Sequence, residues 1–224
     1  MHITKILIRF MAAYLFCYGL PAMADSKTGK LPLDKIKLPA GFSIEVWAEA
    51  PNARGLALGK NGTVFAGSMN EGNIYAIRDK GGEREVKTIA RGLNLPIGVA
   101  FHEGALYASS VDRILRFDDI EEKLDQPGKP YVVTERFPSE KHHGGRYIGF
   151  GPDGLLYVAV GAPCNICETE PDKFSLISRI NPDGSNYEVF AYGVRNSVGF
   201  DWHPETKELW FTDNGRDWMG DNLP

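Results

Sequence analysis

The sequence predicts an all-β protein of the β-propeller type. Three observations lead there: a hairpin-like unit recurs four times, its aromatic positions fall near the length of a four-stranded blade, and no segment carries a long helical period with caps at both ends. The recurring unit is an apolar run, a turn and a second apolar run. A β-sandwich would instead show short, even strand spacing without long-range self-similarity.

Real structure is expected to start at Gly41, after a polar, lysine-rich lead-in over residues 25–40. Phe42-Ser43-Ile44-Glu45-Val46-Trp47 alternates apolar and polar residues as a half-buried strand does. The first copy of the repeat runs over 55–58, turns at Lys60-Asn61-Gly62 and resumes over 63–67. The second covers 98–101 and 105–108 around Glu103-Gly104; the third covers 148–150 and 155–159 around Pro152-Asp153-Gly154. The fourth covers 198–201 and 209–212 around a longer turn, His203 to Lys207. Between copies lie further strand-like runs, 73–78 and 113–117. Phe65, Tyr107, Tyr157 and Phe211 take matching places 42, 50 and 54 residues apart, near one blade length. Three blades are complete and a fourth is begun, so residues 41–224 are expected to be the front part of a longer ring, because an unclosed propeller leaves sheet edges exposed.

Residues 1–24 carry the pattern of a secretory signal: Lys5 and Arg9, a short apolar run from Phe10 to Leu20, and Ala22-Met23-Ala24 as a cleavage site. The expected location is periplasmic or secreted, with no membrane span once the signal is removed. Losing Lys5 and Arg9 leaves 23 basic against 29 acidic residues, a net charge of -6, which argues against a nucleic-acid partner. Cys17 leaves with the leader. Cys164 and Cys167 remain, and in an oxidising compartment a short-loop disulfide is the leading reading. Glu168 stands where a c-type haem site needs histidine. Zinc held by the two cysteines with His142 and His143 is the competing use.

Loops between propeller strands gather around the central axis, and three are rich in functional groups. Glu140 to Arg146 sets two imidazoles and a guanidinium around a Gly-Gly pair before the third hairpin. Ala191 to Ser197, carrying Arg195 and Asn196, holds the equivalent place before the fourth. Thr212 to Asn222 follows the strand 209–211 and offers oxygen ligands, with a spacing that departs from an EF-hand. A histidine here can serve as a general base near neutral pH, and the arginines can pair with a developing oxyanion. His203 and His102 fall in hairpin turns and are assigned no chemistry.

His142-His143-Gly144-Gly145-Arg146, Phe150-Gly151-Pro152-Asp153-Gly154-Leu155-Leu156-Tyr157, Gly193-Val194-Arg195-Asn196 and Trp210-Phe211-Thr212-Asp213-Asn214-Gly215-Arg216-Asp217 together resemble the soluble PQQ-dependent sugar dehydrogenases, the glucose/sorbosone dehydrogenase family. The resemblance spans roughly residues 38–224 and implies a six-bladed propeller with PQQ and calcium as cofactors. It implies His142 as general base, taking the proton of a sugar hydroxyl while hydride passes to the quinone. Arg195 and Asn196 would contact the quinone and the reacting oxygen. The segment Asn214, Gly215 and Arg216 would lie against PQQ, the backbone carbonyls of Gly215 and Arg216 holding calcium. Two departures bear on the substrate: glucose-oxidising members carry Gly-Pro where Gly215-Arg216 stands, and polar residues where Gly161-Ala162-Pro163-Cys164 stands. The sugar and the external electron acceptor therefore stay open. The rival classes are a non-catalytic exported propeller that binds a glycan or protein, and a calcium-dependent propeller lactonase or esterase.

Overall fold

A computed structural model describes residues 31–217; the signal sequence, the start of the lead-in and Trp218 to Asn222 of the third loop lie outside the described residues. The described residues fall into two units, 31–45 and 46–217. The described part of the first holds a single 3-10 turn, Leu33–Lys35, with no buried residue.

The second unit is built from antiparallel sheets. The first contains β1 (Ala53–Leu58), β2 (Val64–Ser68), β3 (Ile74–Lys80) and β4 (Glu83–Ala90). The second contains β5 (Val99–His102), β6 (Ala105–Ser109), β7 (Ile114–Phe117) and β8 (Tyr131–Thr134). The third contains β9 (Ile148–Phe150), β10 (Leu156–Val160), β11 (Leu176–Ile180) and β12 (Glu188–Tyr192); β13 (Gly199–Trp202) pairs with β14 (Leu209–Thr212). Each sheet runs in simple sequence order. The first strands β1, β5, β9 and β13 lie beside one another in turn, which is the up-and-down blade arrangement of a propeller: three complete blades and the first two strands of a fourth.

All four predicted hairpins form. The tightest joins β5 to β6 through Glu103 and Gly104, both at positive φ (47° and 83°), the two-residue turn whose twist matches that of the flanking strands. Phe42–Trp47 forms no strand. Its alternation finds no ladder partner among the described residues, and Phe42 is 71% exposed, so a period of two without a neighbour to accept its hydrogen bonds stays irregular.

Blades pack face to face, and the middle strands carry the core. β6 and β10 are buried along their whole length, whereas the outer strand β12 alternates exposed and half-buried positions. One ring contact repeats across successive blades. Phe65 stacks on Phe101 at 5.9 Å, Tyr107 meets Phe150 edge-on at 4.9 Å, and Tyr157 meets Trp202 at 5.0 Å. Three of the four matched aromatics are thus core residues; Phe211 is exposed.

Gly98 lets the inner strands of blades two and three close up. A Cβ there would collide with the Arg146 carbonyl oxygen and lie 3.0 Å from the Ile148 nitrogen, both backbone atoms. Gly98→Ala is expected to cost about 1–3 kcal/mol, the range for an overpacked core, measured by denaturant unfolding; an unchanged midpoint would show that this seam can open freely.

Candidate functional site

The three loops meet at one end of the sheets, and a chain of hydrogen bonds joins them. His143, in the loop before β9, sits at φ 47° and bonds through Nδ1 to the Ala162 carbonyl at 2.9 Å. The Ala162 amide donates to the Arg195 carbonyl at 2.8 Å. The amides of Arg195 and Asn196 donate to the two carboxylate oxygens of Asp213, at 3.1 and 2.6 Å, and the Asn214 amide returns a bond to the Asn196 carbonyl at 3.2 Å. Gly161 permits the closest approach, since a Cβ there would stand 2.6 Å from the His143 Cβ and 3.2 Å from the Asn196 Oδ1.

The Arg195 side chain is fastened at both terminal nitrogens. Nη1 donates to the carbonyls of Asn214 (2.9 Å) and Gly215 (2.8 Å), and Nη2 donates to the Asn165 Oδ1 (2.7 Å) and carbonyl (3.2 Å). Its Nε is buried with no hydrogen-bond partner among the described residues. A cavity of about 470 Å³ is lined by His143, Arg195, Asn196 and residues 213–217. A larger one of about 830 Å³ shares His143, Asn196 and Asn214 and extends along β1 past Arg54 and Leu56.

The two imidazoles differ. His142 is exposed, lines neither cavity and makes no hydrogen bond among the described residues; its ring stands 4.1 Å from that of His143. His143 is half-buried and lines both cavities. Burial lowers its pKa and so favours the neutral ring, and a carbonyl partner calls for the proton on Nδ1, which leaves Nε2 as the acceptor.

Arg146 does not share the site with these imidazoles. It is 1% exposed, with Nε donating to the Val111 carbonyl (3.0 Å) and Nη2 to the Pro138 carbonyl (2.8 Å). Burial pushes its pKa down to about 10, which leaves it charged at neutral pH. It bolts the imidazole loop to the second blade. Cys164 and Cys167 form a disulfide, with Cα atoms 6.1 Å apart, so neither thiol is free for zinc. The Nδ1 of His203 accepts the amides of Glu205 and Thr206 inside its own turn, and His102 stacks on Phe150 at 4.0 Å; both are structural.

Of the carbonyls of Gly215 and Arg216, expected from the family pattern to hold calcium, that of Gly215 accepts a bond from Arg195 Nη1 at 2.8 Å and keeps a second lone pair. Asp213 and Asn165 are the site residues that sequence reasoning missed. Asp213 stands among several polar residues of one loop and Asn165 between two cysteines, and neither residue type marks a positioning role.

The comparisons agree with this architecture. A family model described as Glucose / Sorbosone dehydrogenase matches residues 102–223, more than half of the chain. An uncharacterized protein of Borreliella burgdorferi is 33% identical over 201 residues, covering 84% of this chain and 52% of that protein. The PQQ-bound aldose sugar dehydrogenase of Streptomyces coelicolor superposes with a TM-score of 0.61 at 24% identity, over 75% of this chain and 58% of that one. A calcium structure of a Trichoderma reesei carbohydrate-active enzyme of family AA12 gives 0.59 at 17% identity, over 74% and 46%. At these identities the structural matches speak to the fold alone. The chain spans about half the length of the curated relative it matches. On the family match, which runs from the second blade through the loops just described, the chain belongs to the glucose/sorbosone dehydrogenase family.

Proposed function

We propose that the protein is an exported PQQ-dependent dehydrogenase that oxidises an aldose or sorbosone-type hydroxyl. The carrying observation is Arg195: a guanidinium fastened at both ends, beside a cavity, with a buried Nε that lacks an acceptor. A buried charged donor without a partner is costly and favours an incoming anionic oxygen. PQQ offers carboxylate and quinone oxygens, and the residues suit it, with Arg195 and Asn196 as its side-chain holders and the backbone of 214–216 beside them. When bound, it supplies a two-electron acceptor for hydride leaving the carbinol carbon.

The remaining work falls to the chain. His142, exposed and with its ring nitrogens unbonded among the described residues, takes the substrate hydroxyl proton. His143 packs against that ring, held by the Ala162 carbonyl, and so limits where His142 can point. Arg195 offsets negative charge developing on the substrate oxygen. Asp213 keeps Arg195 and Asn196 in place through their amides.

The test is titration of the natural polypeptide with PQQ, followed by aldoses and a redox dye. A saturable change in the quinone spectrum and dye reduction with at least one aldose are expected. No spectral change would overturn the reading, and lactone or ester hydrolysis without PQQ would assign the site to the hydrolase class.

A further inference from the structure

The connection between β10 and β11 contains no strand, and Ile166 within it is 62% exposed, so no apolar packing anchors its tip. What holds it is the Cys164–Cys167 bridge and the hydrogen bonds of the residue inside that ring, Asn165. Its Oδ1 accepts from Arg195 Nη2 at 2.7 Å and from the Asp217 amide at 3.1 Å, and its carbonyl takes a further bond from Nη2 at 3.2 Å. One oxygen thus joins the third blade's disulfide ring, the arginine before β13 and the loop after β14. The other half of the amide is idle: Asn165 Nδ2 is buried without a partner among the described residues. Cys167 is exposed and Cys164 half-buried, and both line a cavity of about 530 Å³ together with Arg195.

We propose that Asn165 is a positioning residue for Arg195, that the Cys164–Cys167 bridge is its mount, and that reducing the bridge with a thiol loosens Arg195. The inference rests on the reading of Arg195 as a cofactor-holding residue. In the reduction a dithiol attacks Cys167 Sγ and displaces Cys164 as a thiolate, which takes up a proton. The second thiol then resolves the mixed disulfide and frees Cys167, so two electrons and two protons reach the protein and the reagent leaves as its own disulfide. The four-residue ring opens, and Asn165 is no longer held against Nη2.

The experiment compares Asn165→Leu, Asn165→Asp and the dithiothreitol-treated wild type, all in the natural polypeptide. Two readouts are taken: exchange of the Asp217 and Ala162 amides without cofactor, and affinity for PQQ. Asn165→Leu is expected to speed Asp217 exchange by roughly fivefold, the effect of losing a neutral hydrogen bond, and to weaken PQQ binding by about tenfold, the effect of losing one to a charged group. Asn165→Asp keeps the oxygen, the only part of the side-chain amide in use, and is expected to restore both. Dithiothreitol should reproduce the leucine variant, and it tests the clamp even where that variant fails to fold. Equal behaviour of the Leu and Asp variants, or unchanged Asp217 exchange after reduction, overturns the proposal. If the wild type takes up no PQQ, the functional reading falls and amide exchange still decides the clamp.

Discussion

Replacing His142 with alanine is expected to lower dehydrogenase turnover by about 10²–10⁴-fold, the usual contribution of a positioned general base, while PQQ still binds. The reason is division of labour between neighbouring rings. His142 is exposed and unbonded among the described residues, whereas Nδ1 of His143 is committed to the Ala162 carbonyl. His143→Ala should act more mildly, raising KM and lowering kcat together, because it removes the surface against which His142 rests. The pH dependence adds a second check. Burial depresses the His143 pKa, so the folded state favours the neutral ring; that share of stability is present above the ordinary histidine value and is lost as pH falls through the lower folded value. Steady-state kinetics and thermal melts across pH 5–8 of both variants separate the roles. An active His142→Ala enzyme beside an inactive His143→Ala one would transfer the base to the buried ring and overturn the assignment.

Arg146→Ala should be the most destabilising single change in the site region, at about 2–5 kcal/mol, the scale for emptying a fully buried large side chain and stranding its acceptors. The alanine leaves a void where a large side chain was fully buried, and it strands two carbonyls, Val111 and Pro138, in buried surroundings. Chemical denaturation checks the value, and a loss below about 1 kcal/mol, ordinary for a surface substitution, would show that the cation is dispensable. The loss should appear without cofactor or substrate, which separates this arginine from Arg195, whose removal is felt at the cofactor.

The fold was legible wherever its determinants are local. Hairpins such as Ala105–Ser109 on Val99–His102 announce themselves through alternating or continuous apolar runs around a turn. Outer strands are fainter: Glu83–Ala90 is mostly polar because it covers the rim, and its pairing with β3 is fixed by the hairpin turn and by ion pairs such as Arg78–Glu85. Phe42–Trp47 misleads for the opposite reason, having the pattern of a strand and no local partner. The loops that form the site were visible from their residue types, yet individual roles were not. Arg146 reads as a site cation until its acceptors appear, two carbonyls 35 and 8 positions away. Asn165 accepts from a guanidinium and an amide of the next blade's loops, and Asp213 accepts from two amides across its own hairpin; a loop Asn or Asp carries no mark of that. The Gly215 carbonyl accepts from an arginine twenty positions away, a contact invisible along one segment.

The recurring ring contact, Phe65 on Phe101, Tyr107 on Phe150 and Tyr157 on Trp202, links each blade to the next one only. Such a chain of nearest-neighbour couplings behaves as a one-dimensional assembly, in which cooperativity is the product of separate interfaces rather than a property of one shared core. Damage to a single ring pair is therefore expected to weaken one seam first, while the apolar clusters that cross it, such as Tyr107 with Ile148 and Leu156, still hold the neighbouring blades together.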